Sequence, residues 1–463
     1  MKDNQQILGT EPIGKLLIKY SLPAIIGMIV NGLYNVVDRI FIGNIPGVGP
    51  LAITGLGVTM PIMTIILAFG MLIGIGSTTN ISIKLGQNKK EEAENLIGNA
   101  ITLAVVVGIL ISVIGLVFEN QILHMFGASE GSLPYAKAYI NIILLGSVFN
   151  ILGMTFNNII RGDGNPKLSA TIMVVGCFTN IVLDALFIMV FNMGIQGAAI
   201  ATITSQFITS IWGLLYYVKG KSNLKFKTSS LKLDKSLVAS IFAIGCAPFA
   251  MQIAASCVQI ICNNSLKTYG GDLAIGAMAT INSVIMMICM PIYGISQGAQ
   301  PIIGFNYGAK NYDRAAKTFK LCASAATIGL LVGWLFVQLV PQPIVSMFNS
   351  DANLVSISVD GIRKYLSVMP LIGVSMIGSN YFQAIGKAKQ AMFLSLLRQV
   401  ILLVPMMLIL PKILGLNGIW FAQPIADFIS FVVTALLIVK EIKSYKVASD
   451  DEIDIVSVEP QLD

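Results

Sequence analysis

Charge is scarce in this chain. Only 11% of its 463 residues are Asp, Glu, Lys or Arg, whereas 55% are hydrophobic, and the mean hydropathy is +0.79. Soluble domains carry about 25% charged residues, so this composition argues against a soluble protein and predicts a polytopic membrane protein.

Residues typical of catalytic and metal centres are also few. The chain has one histidine, His124, and neither a nucleotide-binding loop nor a cluster of metal ligands. Its six cysteines fall in apolar segments, where they are expected to be small buried hydrophobes rather than disulfides. The basic residues are not interleaved with aromatics, so nucleic acid is not an expected partner. We therefore expect neither an enzyme nor a bound cofactor.

Long apolar stretches recur along almost the whole chain, each long enough to span a bilayer. The start of the chain lacks the short apolar core and cleavage site of a signal peptide, so the first span is expected to persist in the mature protein. We predict twelve spans, at residues 17–42, 52–82, 93–117, 133–158, 168–190, 195–219, 237–265, 273–303, 315–338, 354–382, 390–411 and 417–440.

The connections between these spans alternate in charge. One set carries clusters of Lys and Arg, such as Lys89 and Lys90 or Lys387 and Lys389, and most of the other set carries none. By the positive-inside rule the basic set is cytoplasmic, and with it both termini. The sequence therefore predicts a multi-pass protein of the cell membrane.

The chain repeats itself at an offset of 221–225 residues. "LAITG" from Leu51 matches "LAIGA" from Leu273, and "GDGNPK" around Gly164 matches "QAIGKAK" around Gly386. Each half holds an even number of spans, so the halves share one orientation. The predicted fold is all-α, with two pseudo-symmetric six-helix bundles around a central cavity, as in secondary transporters. The predicted segments are 1–16 (cytoplasmic N-terminal segment), 17–219 (N-lobe), 220–236 (cytoplasmic linker), 237–440 (C-lobe) and 441–463 (cytoplasmic tail).

Two aspartates, Asp38 and Asp184, lie inside predicted spans of the N-lobe. A carboxylate at membrane depth costs roughly 2.5–3.5 kcal/mol on insertion scales and usually marks an ion or substrate path. Helical rise places both roughly 6–11 Å below the outer surface, together with Tyr139 and Thr202. Asn180 lies one turn deeper than Asp184 on the same face. On the first span, a polar stripe leads to Asp38; it consists of Asn31, Tyr34 and Asn35.

Such a layer of oxygen ligands suits a hard cation, and two close carboxylates also suit a shared proton. Singly, an Asn, Thr or Tyr in a membrane helix usually just hydrogen-bonds its neighbours. Two aspartates at matched depth in one bundle favour a functional site. The sequence leaves the choice between Na+ and H+ open.

The chain resembles the multidrug and toxic compound extrusion (MATE) family in its internal repeat and in three sequence segments. These are "YNVVDRIFIG" in the first span, "RGDGNPK" and "NIVLDALFI…GIQGAAIAT". Within the MOP flippase superfamily, the chain is most similar to the bacterial MepA/DinF-like branch. The resemblance covers essentially the whole chain. It implies that a cation or proton site is formed by Asp38, Tyr139, Asn180, Asp184 and Thr202, with Na+ possible at Asp38, Asn180, Asp184 and Thr202. It also implies that Tyr34 lines the cavity and that Pro23 bends the first helix.

The chain departs from another branch of that family, which carries acidic residues in the C-lobe. The repeat-mate of Asp38 is Asn263, so coupling through C-lobe carboxylates is not expected. Two other charges, Arg398 and Asp427, are predicted near mid-membrane in the last two spans. A structural ion pair between neighbouring helices is the favoured interpretation, and a substrate or coupling contact in the C-lobe is the alternative.

The sequence therefore predicts a monomeric antiporter that exports amphipathic, often cationic, small molecules in exchange for Na+ or H+. A lipid-linked oligosaccharide flippase of the same superfamily is the alternative. It would be expected to place several cationic residues in the central cavity, where this chain has only Arg398 deep in the membrane. The composition does not indicate which substrate is carried.

Overall fold

The computed structural model describes residues 4–45, 47–219, 222–348 and 351–456. These residues form helices joined by short turns, and no strand occurs among them. Part of each predicted segment lies outside this range: residues 1–3 of the N-terminal segment, 46 of the N-lobe, 220 and 221 of the linker, 349 and 350 of the C-lobe, and 457–463 of the tail.

The described residues of the first half form nine α-helices, of which one continues as a π-helix. They are α1 (Asn4–Thr10), α2 (Ile13–Gly43), α3 (Gly49–Gly86), α4 (Lys90–Val117), α5 (Glu119–Met125), α6 (Leu133–Leu145), α7 (Ser147–Gly162), α8 (Pro166–Asp184) with the π-helix Ala185–Val190, and α9 (Gly194–Val218).

The second half follows a 3-10 turn in the linker (Thr228–Leu231) and begins with α10 (Lys235–Gly308). Gly271, at φ 66°, breaks α10 into two spans, Lys235–Gly271 and Leu273–Gly308. The remaining helices are α11 (Tyr312–Leu339), α12 (Pro341–Ser346), α13 (Ala352–Tyr365), α14 (Met369–Ala384), α15 (Ala388–Leu396) with the π-helix Leu397–Leu403, α16 (Val404–Leu414) and α17 (Leu416–Val456).

Among the described residues, nine helical segments are long and apolar enough to cross a membrane. A tenth span is the pair α6 and α7, bent by 55° at Gly146. The pair α13 and α14 lies where the tenth span was predicted, and α17 includes the twelfth. Several helices extend beyond the predicted spans at their polar ends, since an interfacial residue can continue a helix without being apolar.

The apolar core of the described residues consists of two large clusters and a small third one, which Leu8, Leu16 and Tyr20 form with Ile302 of α10. One large cluster of buried side chains extends from Ile42 to Ile241, and the other from Ala247 to Tyr445. Each half of the chain thus packs around its own interior. We call these halves the N-lobe and the C-lobe.

The two lobes meet where α2 and α3 pack against α10. At Gly294 and Gly298 of α10, an added Cβ would lie 2.6–2.7 Å from backbone atoms of Ile25 and Ser21 on α2. Closer to the turns at residues 87–89 and 309–311, Gly86 faces the Phe305 carbonyl and Gly308 faces the Ile83 carbonyl. We call the end of the molecule with these turns and the linker the basic end. Glycine lets helix backbones approach this closely.

The linker is hydrogen-bonded to the N-lobe at the basic end. The side-chain amide of Asn99 on α4 donates to the Ser230 carbonyl at 3.2 Å and accepts from the Asp234 backbone N–H at 2.8 Å. In addition, Glu94 Oε1 accepts from the Lys225 backbone N–H at 3.0 Å. The basic residues of the linker are thus carried on a segment held against α4.

A buried carboxylate, Asp163, lies in the turn between α7 and α8. Tyr216 donates to its Oδ2 at 2.7 Å, and the Asn223 backbone N–H donates to the same oxygen at 3.2 Å. Its Oδ1 is buried without a hydrogen-bond partner among the described residues. Burial, the largest effect, raises the pKa of the Asp163 carboxyl to about 7, compared with about 3.9 in an unfolded chain.

We expect this carboxyl to make stability pH-dependent. The folded state holds the proton more tightly than the unfolded state, so the stabilisation is complete below about pH 4 and is lost as the pH rises to about 7. In thermal unfolding of the detergent-solubilised protein, the wild type should lose stability over that window relative to Asp163→Asn. The exposed-carboxylate control Asp360→Asn should keep the wild-type slope. An unchanged slope in Asp163→Asn would contradict this assignment.

Candidate functional site

The carboxyl groups of Asp38 and Asp184 face each other in the N-lobe. Helix α2 packs along α8, and Gly27 of α2 lies directly against the Met173 side chain of α8. This close approach brings the carboxyl groups of the two aspartates within hydrogen-bonding reach of each other. Both are buried, at 7% and 0% exposure respectively. A pair of carboxyl groups at this separation is stable when one proton is shared between them.

Asn180 connects this pair to α9. When the Asn180 side-chain amide is oriented so that both its nitrogen and its oxygen have partners, the nitrogen donates to Asp184 Oδ2 at 2.9 Å. The amide oxygen then accepts from the Thr202 backbone N–H at 3.1 Å and from its hydroxyl at 3.3 Å. The orientation of an amide is assigned from its partners in this way. Asn180 therefore holds Asp184 in place relative to α9.

Two phenols complete the cluster. Tyr139 on α6 and Tyr34 on α2 both lie beside the Thr202 hydroxyl and close to the two carboxylates. Tyr139 is buried, whereas Tyr34 is half-buried. The structure thus brings the five sequence-predicted site residues together, with Tyr34 at their edge. We call the five residues Asp38, Tyr139, Asn180, Asp184 and Thr202 the carboxylate site.

Other candidates lie outside this cluster. Asn35 is exposed, and its amide donates to the Asn31 carbonyl of its own helix at 2.7 Å. Asn31 lies beside Cys177 of α8 rather than beside the carboxylates. Pro23 lies within α2, which is helical from Ile13 to Gly43. The bend that the resemblance implies at Pro23 stays a prediction.

The π-helix Ala185–Val190 begins directly after Asp184. A π-turn inserts an extra residue into the helical repeat, and such turns are frequent at functional sites. The apolar sequence here gave no signal of it. The side chains that follow Asp184, the last polar residue of α8, therefore face a different side than they would in a continuous α-helix.

The carboxylate site retains unused acceptors. Asp38 Oδ1 and Asp184 Oδ1 are buried without a hydrogen-bond donor among the described residues. Buried carboxylate oxygens without a donor are costly, and a proton or a cation would satisfy them. The oxygen donor set therefore fits Na+ as well as H+. The Asn180 amide, however, already directs its nitrogen at Asp184 and its oxygen at Thr202.

In the C-lobe, Arg398 and Asp427 lie in contact. Arg398 Nε and Asp427 Oδ1 are 2.9 Å apart, and Arg398 belongs to the π-helix Leu397–Leu403. The two residues border a cavity of about 200 Å³. This geometry agrees with an ion pair between neighbouring helices.

Sequence reasoning missed two partners of that pair. Gln423 Nε2 donates to both oxygens of Asp427, at 3.0 and 3.1 Å, and Tyr365 donates to Gln423 Oε1 at 3.1 Å. The spacing of Gln423 and Asp427, one turn apart on one helix, was the available signal. Tyr365 had none, because its contact depends on how α13 packs against α17.

Two helical lobes, each with its own core and with buried charges at membrane depth, define a multi-pass membrane protein with a transporter fold. A family model described as MatE matches residues 23–186 and 248–409 of the chain. The chain therefore belongs to the MATE family, and its twelve-helix, two-bundle architecture is the fold of that family, as predicted.

Relatives match over nearly their full length. The chain is 38% identical to the MATE multidrug transporter DinF-BH, with a TM-score of 0.87 over 93% of this chain and 96% of that one. It is 27% identical over 428 residues to the multidrug export protein MepA of Staphylococcus haemolyticus, covering 92% of this chain and 94% of that protein. A MATE structure in the bent conformation gives a TM-score of 0.91 at 24% identity, over 97% of this chain and 100% of that one.

Proposed function

We propose that this protein is a secondary active multidrug exporter, which expels amphipathic cationic compounds across the cell membrane as a monomer. The observation that carries the proposal is the buried carboxylate pair, Asp38 and Asp184, in a chain of this family. Relatives named as multidrug exporters support the substrate class. The basic end, with both termini, is cytoplasmic in this proposal.

The coupling ion of the proposal is H+. Two carboxyl groups within hydrogen-bonding reach need a proton between them, because two adjacent charges repel each other strongly in a buried site. Asn180 also supports H+, since its nitrogen is directed at Asp184. For Na+ to bind there, the amide of Asn180 would have to rotate, which removes its bonds to Asp184 and to the Thr202 backbone N–H and leaves a donation to the Thr202 hydroxyl at 3.3 Å.

Alternating access is the third part of the proposal. The close approaches between α2 and α10 lie toward the basic end, and the outermost of those described at a glycine is Gly32 against Met290. Asp38 lies almost two helical turns beyond Gly32, so the carboxylate site is on the far side of this seam. Such a structure corresponds to a state closed toward the cytoplasm. Protonation of the carboxylate site from outside would then favour release of the substrate.

Transport by the purified protein in lipid vesicles tests this function. Efflux of a fluorescent lipophilic cation, such as a rhodamine dye, is expected under a pure pH gradient with the protons entering against the dye. A pure Na+ gradient at constant pH should give no transport above protein-free vesicles. Transport driven by Na+ alone would overturn the choice of ion, and the absence of transport under both gradients would overturn the function.

A further inference from the structure

The helices that line the C-lobe cavity include those related by the internal repeat to the helices that carry the carboxylate site. Its walls come from both spans of α10 and from α13, α14, the π-helix that follows α15, α16 and α17. Methionines form much of its apolar surface, for example Met278, Met376 and Met407. Polar groups also reach it, including Gln259, Asn282 and Gln399. It is therefore an amphipathic cavity rather than a packing defect.

The two charges bordering the cavity differ in what they offer to a ligand. Asp427 has a side chain only 1% exposed; both of its oxygens accept from Gln423 Nε2, and Oδ1 lies 2.9 Å from Arg398 Nε in an ion pair without a hydrogen bond. Arg398 has a side chain 26% exposed. Its contact with Asp427 is made through Nε, and no hydrogen bond joins its terminal nitrogens to another described residue. A ligand in the cavity thus meets a guanidinium rather than a carboxylate.

The position of Arg398 is set by the backbone. It lies in the first turn of the π-helix Leu397–Leu403, where the extra residue per turn changes which side chains face inward. Gln423 and Tyr365 hold Asp427 from the other side. The guanidinium is therefore held at Nε by a fixed carboxylate, and its terminal nitrogens are left for a ligand in the cavity that Arg398 lines.

We propose that this cavity binds the carboxylate group of amphipathic ligands, with Arg398 as the anion-binding residue. A guanidinium presents planar paired N–H groups that match a carboxylate in a bidentate manner. The cavity volume of about 200 Å³ is below the roughly 300–1,000 Å³ of sites that enclose a whole drug-sized ligand. It accommodates the acidic end of a ligand, such as an aryl or short alkyl carboxylate. Within the proposed export function, on which this assignment rests, the C-lobe extends the substrates to zwitterions and organic acids.

Binding to the detergent-purified full-length protein tests the assignment without any transport. The probes are 4-phenylbutyrate and its neutral amide, which have the same apolar body. The dissociation constant of each is obtained from the concentration dependence of the melting temperature. We expect the wild type to bind the carboxylate at least about tenfold more tightly than the amide, because hydrogen bonds to a charged group are stronger than those to a neutral one. Equal affinity for the two probes would overturn the proposal.

Two variants sharpen this test. Asp427→Asn removes the competitor for the guanidinium, so the preference for the carboxylate should increase further. The double replacement Arg398→Met/Asp427→Leu removes both charges without leaving one unpaired and should abolish the preference. If the double variant folds and still prefers the carboxylate, Arg398 is not the binding group. If Asp427→Asn does not fold, the double variant alone decides.

The carboxylate site provides the control that separates this proposal from the proposed function. Asp38→Asn should stop export while it leaves the preference for 4-phenylbutyrate at the wild-type value, because Asp38 lies in the other lobe. A loss of that preference in Asp38→Asn would overturn the assignment to the C-lobe cavity. Normal export by Asp38→Asn would instead overturn the proposed coupling.

Discussion

Asp38→Asn is expected to reduce export to the level of protein-free vesicles. The carboxamide has nearly the size of the carboxyl group, so α2 and α8 can pack as before, but it cannot exchange a proton. The Asp184 carboxyl would then lose the partner with which it shares a proton. Without an exchangeable proton at this site, protonation can no longer change the affinity of the protein for its substrate. The inward proton gradient then cannot drive export.

The measurement is initial-rate dye efflux from vesicles that contain matched amounts of folded protein, as verified by size-exclusion chromatography and thermal unfolding. Asn263→Ala is the matched control, because Asn263 occupies the repeat-equivalent position of Asp38 in the C-lobe. This control should keep most of the wild-type rate. Wild-type efflux by Asp38→Asn would remove the carboxylate pair from the mechanism.

Much of the fold could be predicted because membrane insertion imposes a long apolar run on each span. The repeat indicated the division into two bundles, whereas the orientation indicated by the charge of the connections stays a prediction. The break in the fourth span was not predicted. Gly146 separates α6 and α7 within a continuous apolar run, so no change of composition marks it. The π-helices Ala185–Val190 and Leu397–Leu403 were not predicted either, because no residue pattern marks where the helical repeat changes.

The candidate site was partly predictable because polar residues stand out against an apolar background. Depth alone placed Asp38 and Asp184 in one layer, and the structure shows them in contact. Helical spacing could not show which stripe residues face the pair, so Asn35 was included although it bonds its own helix. Asp163 was overlooked because an acidic residue in a turn is ordinarily solvated, whereas here Tyr216 and Asn223 cover it.

Gly298→Leu is expected to hold the two lobes apart at the basic end. A Cβ at this position would lie 2.7 Å from the backbone nitrogen and Cα of Ser21, and a backbone cannot move aside as a side chain can. Overpacking of this kind typically costs 1–3 kcal/mol, or roughly 5- to 150-fold in an equilibrium constant. If the contact exists only in the state closed at the basic end, the variant should populate the opposite state and lose export.

Spin labels at Lys167→Cys and Lys389→Cys report this change, since both positions are exposed at repeat-related turns of the two lobes. In a background without the native cysteines, the distance distribution between the labels should move to longer values in Gly298→Leu. Gly57→Leu is the control, because no heavy atom lies within 4 Å of a Cβ there. A lower melting temperature with an unchanged distance distribution would mean that the seam persists in every state. In that case Ser21 and Gly298 would form a permanent contact, and the alternation would have to occur at another interface.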